Sequence, residues 1–270
     1  MQRISIVRNR MFLTESYLYP TRAMKTASMA STSFLLTPAQ ASTLPSSSTK
    51  FLDTTWLMPN SPRSARQEFE KARIRGAKYF DLDEVAGPNE LGLKAMMPSS
   101  EQFKEACDQL GITKEDSVVL YDTRGVLSSP RALFTFKAFG HPKAFVLNGG
   151  LPAWRAAGLS VDESYPTGEA VATGASGAYP LPSMDPSIIR SYEQMLENIK
   201  RDPGDAELVI DARPKARFMG SAPEPWEGLP SGHIPNSVSI PFTELLTTHE
   251  YSHDTEKVSG MKCGILFGCD

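Results

Sequence analysis

Two continuous apolar runs that each end in a turn constrain the fold of this chain more than any other feature. They are SVVLYD at 117–122 and AFVLNGG at 144–150, and SPRALFTFKAFG at 129–140 lies between them. A run without polar alternation is typical of a strand buried on both faces, as in a parallel sheet. The segment between them begins with Ser-Pro and stops at a glycine, which predicts a helix. Strand, helix and strand in this order predict an α/β domain with a mostly parallel sheet.

The same alternation extends over most of the chain. Helices are predicted at 37–43, 65–74, 100–112, 151–158 and 192–200, and strands at 49–56, 77–82 and 206–213. The first helix has Thr37 as a capping residue and Pro38 at its first helical position. Residues 159–187 are rich in Gly, Ala, Ser, Thr and Pro and have no apolar period, so they are predicted to be a linker.

Two segments of the second half match two segments of the first. FLDTTW at 51–56 corresponds to VIDARP at 209–214, and RIRGAKYFDL at 73–82 corresponds to HIPNSVSIPF at 233–242. The offsets are 158 (211 − 53) and 160 (233 − 73). Two separate matches with nearly the same offset predict a tandem duplication. The alternative is chance similarity between short apolar strands.

Composition and charge exclude several classes of protein. The hydrophobic fraction of 40% and the charged fraction of 22% are typical of globular proteins. A net charge of −3 gives no basic footprint for nucleic acid. No apolar run approaches the roughly 20 residues that span a bilayer. Three cysteines, at 107, 263 and 269, are too few and too scattered for a disulfide framework, so a reducing compartment is expected.

The N-terminal segment 1–36 differs from the rest of the chain. It contains five basic residues, frequent Ser and Thr, and one acid, Glu15. This composition resembles a mitochondrial transit peptide. A disordered basic tail, or a start codon assigned too early, is the alternative. Location in the mitochondrial matrix is therefore expected, with the cytoplasm as the second possibility.

The longest motif of the second half is similar to a known family. VIDAR at 209–213 followed by GSAPEPWEGLPSGHIPNSVSIPF at 220–242 resembles the two-domain rhodanese family of thiosulfate and 3-mercaptopyruvate sulfurtransferases. GAKYFDLD, VVLYD and VLNGGLPAW are the matching landmarks of the first half. The resemblance implies two tandem rhodanese-like domains, each a mostly parallel sheet flanked by helices. The domains are expected at 37–158 and, in partial form, at 188–246, followed by an unpatterned tail at 247–270.

The family resemblance also implies a reaction. These enzymes move a sulfane sulfur to a thiophile such as cyanide or a thiol, through a cysteine persulfide in the second domain and without a cofactor. The nucleophile must be a thiolate, so backbone N–H groups and a helix N-terminus have to favour negative charge at the sulfur. Small sulfur-donor anions and thiol or cyanide acceptors are the expected partners. The sequence leaves the preferred donor, the physiological acceptor and the oligomeric state open.

Site residues are assigned from the same resemblance. Asp122 occupies the nucleophile position of the first domain, which is expected to be catalytically silent because an aspartate cannot carry a persulfide. Arg217 matches the substrate-binding arginine. Asp211, Arg213 and His233 are expected to be structural, the first two as a paired carboxylate and guanidinium. Trp226 stands where some mercaptopyruvate-preferring relatives have a second basic residue.

No nucleophile is identified in the second half. The first domain uses 76 residues (158 − 82) for the part that follows its second landmark, whereas 28 residues (270 − 242) remain after Phe242. Cys263 and Cys269 lack a preceding strand and a following helix, so neither is assigned as catalytic. With His249 and His253 they fit no standard zinc spacing, and no metal is expected.

These observations lead to an expectation of an incomplete second domain and an inactive chain. Residues 188–270 are expected to be poorly packed, and residues 247–270 irregular. A non-catalytic rhodanese-like interaction or regulatory protein is the alternative function. A phosphatase of the same fold is the least supported possibility, because no phosphate-cradling loop follows a cysteine.

Overall fold

A five-stranded parallel sheet organises the first part of the protein. The computed structural model describes residues 33–58, 61–88, 93, 95–163, 179–202, 204–225, 228–249 and 258–261. In spatial order the strands are Leu35–Leu36 (β1), Ala144–Leu147 (β6), Ser117–Tyr121 (β5), Thr49–Asp53 (β2) and Lys78–Tyr79 (β4), and all neighbours are parallel. The predicted α/β fold with a mostly parallel sheet is confirmed.

Five helices connect the strands of this sheet, and a sixth follows its last strand. They are Pro38–Ser42 (α1), Ala65–Lys71 (α2), Leu82–Val85 (α3), Ser100–Gln109 (α4), Ser129–Ala138 (α5) and Gly150–Ala156 (α6). The predicted cap of α1 is present, since the backbone N–H of Gln40 donates to the hydroxyl of Thr37 at 3.3 Å. Gly111 and Gly140, which follow α4 and α5, have φ of 60° and 68°. That left-handed conformation favours glycine and ends both helices.

Alternate residues of β5 contribute to two different apolar cores. Val118 and Leu120 pack in one cluster with Phe103 of α4 and Phe136 of α5. Val119 and Tyr121 pack in the other, which also contains Phe69, Leu147 and Trp154. A strand that is buried on both faces needs an apolar side chain at every position. This requirement explains the uninterrupted run SVVLY.

A short antiparallel pair replaces the predicted end of one helix. The helix predicted at 65–74 ends at Lys71, and Arg73–Ile74 (β3) pairs with Val161–Asp162 (β7). The reason is tertiary, because Ile74 is buried in the core and Arg73 is buried next to the carboxylate of Asp162, 4.0 Å away. Residues 161–162 therefore belong to the first folded unit, although they were predicted to lie in the linker.

The other end of the predicted linker is also part of the first core. Tyr179 is fully buried, and its hydroxyl donates to Nδ1 of His141 at 2.9 Å. The other ring nitrogen of His141 donates to the carbonyl of Asp116, and burial lowers the pKa of His141 to about 4, so the ring is neutral. Further along, the N–H of Asp185 donates to the carbonyl of Ala138.

The N-terminal boundary and the tail also differ from expectation. β1 lies within 33–36, the end of the segment assigned to a leader, and the N–H of Val146 donates to the carbonyl of Phe34 at 2.8 Å. The remainder of that segment, 1–32, lies outside the described residues. In the tail, Leu246–His249 (β10) pairs with Val258–Met261 (β11) as an antiparallel hairpin. The prediction of irregular structure after 246 is therefore wrong for these residues, because their backbone groups pair with each other.

The second half repeats the first at the predicted register. It contains Tyr192–Lys200 (α7), Ile210–Asp211 (β8), Lys215–Phe218 (α8) and Val238–Ser239 (β9). Parallel pairing joins Asp211 to Ser239 as it joins Asp53 to Tyr79, giving offsets of 158 (211 − 53) and 160 (239 − 79). The N–H of Ile240 donates to the carbonyl of Asp211 as that of Phe80 donates to Asp53. These shared pairings support the duplication.

The repeat in the second half is much less buried than its counterpart. Among the residues beyond 188 whose burial is described, Phe218 and Pro241 are the buried apolar side chains. Leu208, just before β8, is 69% exposed, and Ile210 of β8 is 54% exposed, whereas Leu52 of β2 is fully buried. β8 pairs with β9 along one edge, and no described strand covers its other edge. Within the described residues, no helix is long and apolar enough to cross a bilayer.

Limited proteolysis should therefore distinguish the two halves of the 270-residue chain. Segments with few buried apolar contacts open at low free-energy cost, so cleavage sites should accumulate between 188 and 249 before any sheet strand of the first domain is cut. Mass spectrometry of the fragments over time gives the order. Equal protection of both halves at every protease concentration would contradict the expectation.

Candidate active site

The loop after β5 forms a ring of hydrogen-bond donors around one carboxylate. Oδ2 of Asp122 accepts from the backbone N–H groups of Leu127, Ser128 and Ser129 at 2.9, 3.1 and 3.0 Å. The hydroxyl of Ser129 donates to the same oxygen at 2.8 Å, and the N–H of Arg124 donates to Oδ1 at 2.9 Å. Asp122 is fully buried. The loop is thus an anion cradle that contains its own anion.

The position of this cradle follows from the start of α5. The first N–H groups of a helix have no intrahelical partner and attract negative charge. Ser128, the N-cap residue, makes no side-chain capping bond, and Asp122 supplies the acceptor instead. A thiolate at the same place would gain the same stabilisation. The structure places Asp122 at the strand end predicted for it, and its lack of catalytic function stays a prediction.

The LNGG turn packs against this loop. The N–H of Leu151 donates to the carbonyl of Asp122 at 3.1 Å. Gly150 has φ of 56°, and a Cβ atom there would lie 2.1 Å from the carbonyl oxygen of Asp122. No side chain larger than hydrogen fits at that distance, so the second glycine of the turn is required by close packing.

Asp53, at the end of β2, is a buried acid without a charged partner. Its Oδ1 accepts from the N–H and the hydroxyl of Thr55 at 2.9 and 2.5 Å. Its Oδ2 is buried and accepts no hydrogen bond among the described residues. Burial raises the pKa of Asp53 to about 7, with a further contribution from the charge of Asp122. The group is therefore largely protonated below neutral pH.

The corresponding acid of the second half has an arginine partner. Asp211 receives the same backbone bond from residue i+2 as Asp53 does, but residue 213 is an arginine where residue 55 is a threonine. Nε and Nη2 of Arg213 donate to the two carboxylate oxygens at 3.0 and 2.6 Å. These bonds lower the pKa of Asp211. Nη2 of Arg213 also donates to the carbonyl of Gly232 at 2.6 Å, which ties the strand end to the GHIP turn.

Glu224 joins the two arginines of this region, and the sequence analysis did not identify it. Nη1 of Arg213 donates to its Oε1 at 2.7 Å, and Nε of Arg217 donates to its Oε2 at 2.9 Å, with a second bond from Nη2 of Arg217. The side chain of Glu224 is 5% exposed and that of Arg217 is 26% exposed. The hydrogen bonds from Arg217 lower the pKa of Glu224. Glu224 lies between two prolines, seven residues after Arg217, and no sequence motif marks it.

His233 contacts the helix that bears Arg217. Its Nδ1–H donates to the carbonyl of Phe218 at 2.8 Å, since a carbonyl can only accept. The imidazole stacks on the ring of Phe218, with centroids 3.8 Å apart and planes 13° from parallel. Both contacts hold the GHIP turn against α8. The structural role of His233 stays a prediction.

An open cleft of about 660 Å³ lies beside β8. Its lining comprises residues 209–213 and 230–235 with Ser237, and so includes Asp211, Arg213 and His233 but not Arg217. The structure thus joins Asp211, Arg213 and Arg217 in one network through Glu224, while His233 lines the cleft with the first two. Asp122 belongs to the separate network of the first domain.

None of the cysteines provides an activated thiolate among the described residues. Cys107 is buried in the core cluster of α4, and burial raises the pKa of its thiol well above the usual range. Cys263 and Cys269 lie outside the described residues, as do Trp226 and His253. Within the described part of the chain, no group of three His, Cys, Asp or Glu side chains is arranged to hold a metal ion.

Comparison with known proteins agrees with this architecture. Residues 50–157 match the rhodanese-like domain. A probable 3-mercaptopyruvate sulfurtransferase of Schizosaccharomyces pombe is 34% identical over 214 residues, which cover 78% of this chain and 70% of the relative. The chain belongs to the rhodanese family of sulfurtransferases. The family predicted from the Asp-x-Arg and GHIP motifs is thereby confirmed.

Two further relatives show how much of a related protein this rhodanese chain covers. Thiosulfate/3-mercaptopyruvate sulfurtransferase 1, mitochondrial, of Arabidopsis thaliana is 41% identical over 208 residues, which cover 73% of this chain and 54% of the relative. The sulfur transferase subunit of yeast mitochondrial complex I has a structure with a TM-score of 0.68 and 33% identity, covering 81% of this chain and 76% of that one. The chain spans little more than half the length of the plant relative.

Replacing Asp122 by alanine should strongly destabilise the first domain. Four backbone N–H groups and one hydroxyl would lose their buried acceptor, and uncompensated buried groups of this kind cost about 3–5 kcal/mol. Urea unfolding followed by tryptophan fluorescence measures the loss. Glu105→Gln, on the exposed face of α4, is the control and should change stability by less than about 0.5 kcal/mol. A similar small effect for both variants would mean that the cradle does not depend on Asp122.

The protonation of Asp53 predicts how stability depends on pH. Because burial raises the folded pKa of Asp53 to about 7 from its ordinary value of 3.8, the folded state retains a proton that the unfolded state releases between these values. The unfolding free energy should therefore decrease as pH rises from about 4 to 7, by up to about 1.4 kcal/mol per pKa unit, and then level off. Asp53→Asn should remove this part of the slope. Unfolding curves at several pH values with the same slope in both proteins would refute the assignment.

Proposed function

We propose that this chain is part of a sulfurtransferase that moves sulfane sulfur from thiosulfate or 3-mercaptopyruvate to a thiol or cyanide acceptor. The observation that supports it is the network of Asp211, Arg213, Glu224 and Arg217 in a member of the rhodanese family. In this network the guanidinium of Arg213 lines the open cleft, and Glu224 joins it to Arg217, a cation that suits a donor anion. The plant and fission-yeast relatives are named as sulfurtransferases of thiosulfate and 3-mercaptopyruvate.

The proposed chemistry requires a cysteine thiolate. It attacks the outer sulfur of thiosulfate, the S–S bond breaks, and its electron pair leaves with sulfite. The acceptor then attacks the terminal sulfur of the persulfide and regenerates the thiolate. Electrostatic preorganisation by N–H donors lowers the cost of the negative sulfur in both steps. The loop after β5 has N–H donors of this kind, which here surround Asp122.

Arg217 is proposed to orient the donor anion. In the structure its Nε and Nη2 both donate to Oε2 of Glu224, and about a quarter of its side chain remains exposed. Glu224 thus holds the planar guanidinium in one orientation while leaving part of it open to the solvent. Asp211 and Arg213 are proposed to fix the strand end and the GHIP turn around it.

The 270 residues by themselves are proposed to be inactive. Asp122 occupies the cradle of the first domain, and Cys107 is buried and protonated. A non-catalytic interaction or regulatory protein of the rhodanese type is the alternative. The occupation of the first domain's loop by its own Asp122 also supports this alternative. The mitochondrial matrix is the proposed location, on the basis of the basic segment 1–36 and of the plant relative that is named as mitochondrial.

Turnover measurements test the proposal directly. Thiocyanate formation from thiosulfate and cyanide, and pyruvate release from 3-mercaptopyruvate with a thiol, are assayed for the 270-residue chain and for any transcript product that continues differently after Leu246. No turnover is expected from the 270 residues. A product in which a strand and a cysteine–glycine loop follow should be active, and Arg217→Gln should lower its kcat/KM about 10- to 100-fold.

Arg190→Gln is the matched control, because Arg190 also pairs with a glutamate, Glu207, but on an exposed surface. It should leave kcat/KM unchanged. Turnover by the 270-residue chain itself would overturn the assignment of inactivity. Equal losses in the two arginine variants would remove the special role of Arg217.

A further inference from the structure

Residues 179–185 form a strap that lies on the first domain and leads toward α7 of the second half. Two backbone hydrogen bonds hold its ends. The N–H of Tyr179 donates to Oδ1 of Asp108 in α4 at 2.8 Å, and the N–H of Asp185 donates to the carbonyl of Ala138 in α5 at 2.9 Å. The strap therefore connects the ends of two helices of the first domain to the beginning of the second half.

Tyr179 is the residue of the strap that enters the core. Its side chain is fully buried, and its ring lies edge-on to that of Phe103, with centroids 5.7 Å apart. At the far end of the ring, the hydroxyl donates to Nδ1 of His141 at 2.9 Å. A buried aromatic side chain contributes much of the energy of a small contact, provided that its polar end has a partner. The closed position of the strap thus depends on the bond between Tyr179 and His141.

The imidazole of His141 accepts this hydroxyl only while the ring is neutral. Its Nε2–H donates to the carbonyl of Asp116 at 3.0 Å, so Nδ1 is the nitrogen without a proton. The residue is 1% exposed, and the ring has no other hydrogen bond among the described residues. Protonation of Nδ1 makes both nitrogens donors, and the hydroxyl hydrogen of Tyr179 then loses its acceptor. A buried charge and an unpaired buried donor both cost free energy.

The charged groups around this contact do not stabilise an imidazolium. The titratable groups that face the ring or Tyr179 come from α4, from α5 and from the loop before β5, and they are Cys107, Asp108, Lys114, Glu115, Asp116 and Lys137. Burial, together with the charges of Lys137 and Lys114, lowers the pKa of His141 to about 4, although Asp116 opposes the shift. The carboxylate of Asp116 already accepts from the N–H and the hydroxyl of Thr113 at 2.7 and 3.1 Å.

We propose that the contact between Tyr179 and His141 is a proton-sensitive latch, which holds the strap on the first domain while the imidazole is neutral and releases it when the imidazole is protonated. Release loosens the connection between the two halves and uncovers the side of α4 against which Tyr179 packs. The latch lies at the amino edge of the sheet, before β5 and β6. It does not depend on the proposed sulfur transfer.

The pH range of the release follows from the two states of the ring. With the strap open, His141 regains its ordinary pKa of 6.5, whereas the closed strap keeps the value of about 4. The latch is therefore fully effective above about pH 6.5, and the closing equilibrium falls by up to about tenfold per pH unit between these values. Ordinary carboxyl groups titrate at about pH 4, and the effect expected for Asp53 has the opposite sign. Faster opening at about pH 5 than at about pH 7.5 thus reports the imidazole.

Hydrogen exchange of the 270-residue chain, followed by mass spectrometry at about pH 7.5 and about pH 5, tests the proposal. After correction for the intrinsic exchange rate, the peptide that contains 179–185 should exchange at least about threefold and up to about 30-fold faster at the lower pH. The peptide of β5 is the internal control and should not become faster. His141→Gln retains a donor and an acceptor but has no proton to gain, so its strap should exchange equally at both pH values. Lys143→Gln, at an exposed position two residues away, should behave like the unaltered chain.

Two further measurements keep the test decisive if His141→Gln lowers the melting temperature. Tyr179→Phe removes one hydroxyl and retains the ring, so it should speed exchange of the strap about three- to tenfold at about pH 7.5. In the nuclear magnetic resonance spectrum of the unaltered chain, the ring of His141 should titrate below its ordinary pKa of 6.5. A ring that titrates at or above that value would overturn the proposal.

Three results of the exchange experiment would also overturn it. They are an increase of less than about threefold at the lower pH, a pH dependence that persists in a folded His141→Gln chain, and unchanged exchange in a folded Tyr179→Phe chain. No sulfur donor is present, so none of these results depends on catalytic activity.

Discussion

The carboxylate of Asp122 joins more parts of the first domain than any other single group. It accepts from the loop after β5, it caps α5 in place of Ser128, and the carbonyl of the same residue receives the N–H of Leu151 at the start of α6. Because every convergent donor has a buried acceptor, the loop holds its geometry without a ligand. A rhodanese domain with an aspartate at this position keeps the form of an anion site and supplies the anion itself.

The two strand-end acids show how one neighbouring residue determines a charge. Asp53 and Asp211 have the same backbone surroundings, with the same parallel pairing and the same bond from residue i+2. The side chain of Thr55 gives Asp53 a hydroxyl as its hydrogen-bond donor, and burial keeps Asp53 protonated up to about pH 7. Arg213 is the counter-ion of Asp211. Its guanidinium also donates to Glu224, which accepts a further bond from Arg217. The arginine at 213 thus connects the scaffold of the second half to the residue proposed to bind the donor.

The sequence predicted the features that depend on local pattern and missed those that depend on tertiary contact. The run at 117–121 specified β5 because both of its faces are buried, and the two offsets specified the register of β8 with β9. By contrast, β3 and β7 are two residues long, so they have no measurable period, and their pairing depends on the burial of Ile74. Tyr179 lies in a segment of linker composition, yet it is held by His141 and Asp108, 38 and 71 residues away. Glu224 follows no motif rule, and only the fold brings it to both arginines.

The two halves compensate their buried acids in different ways. In the second half, acids and arginines pair with one another, so the anion proposed to bind Arg217 has to compete with Glu224. In the first domain, the cradle neutralises Asp122 by hydrogen bonds from N–H groups rather than by a cation. The buried acid of the first domain is thus compensated without an arginine, whereas Asp211 of the second half is paired with Arg213.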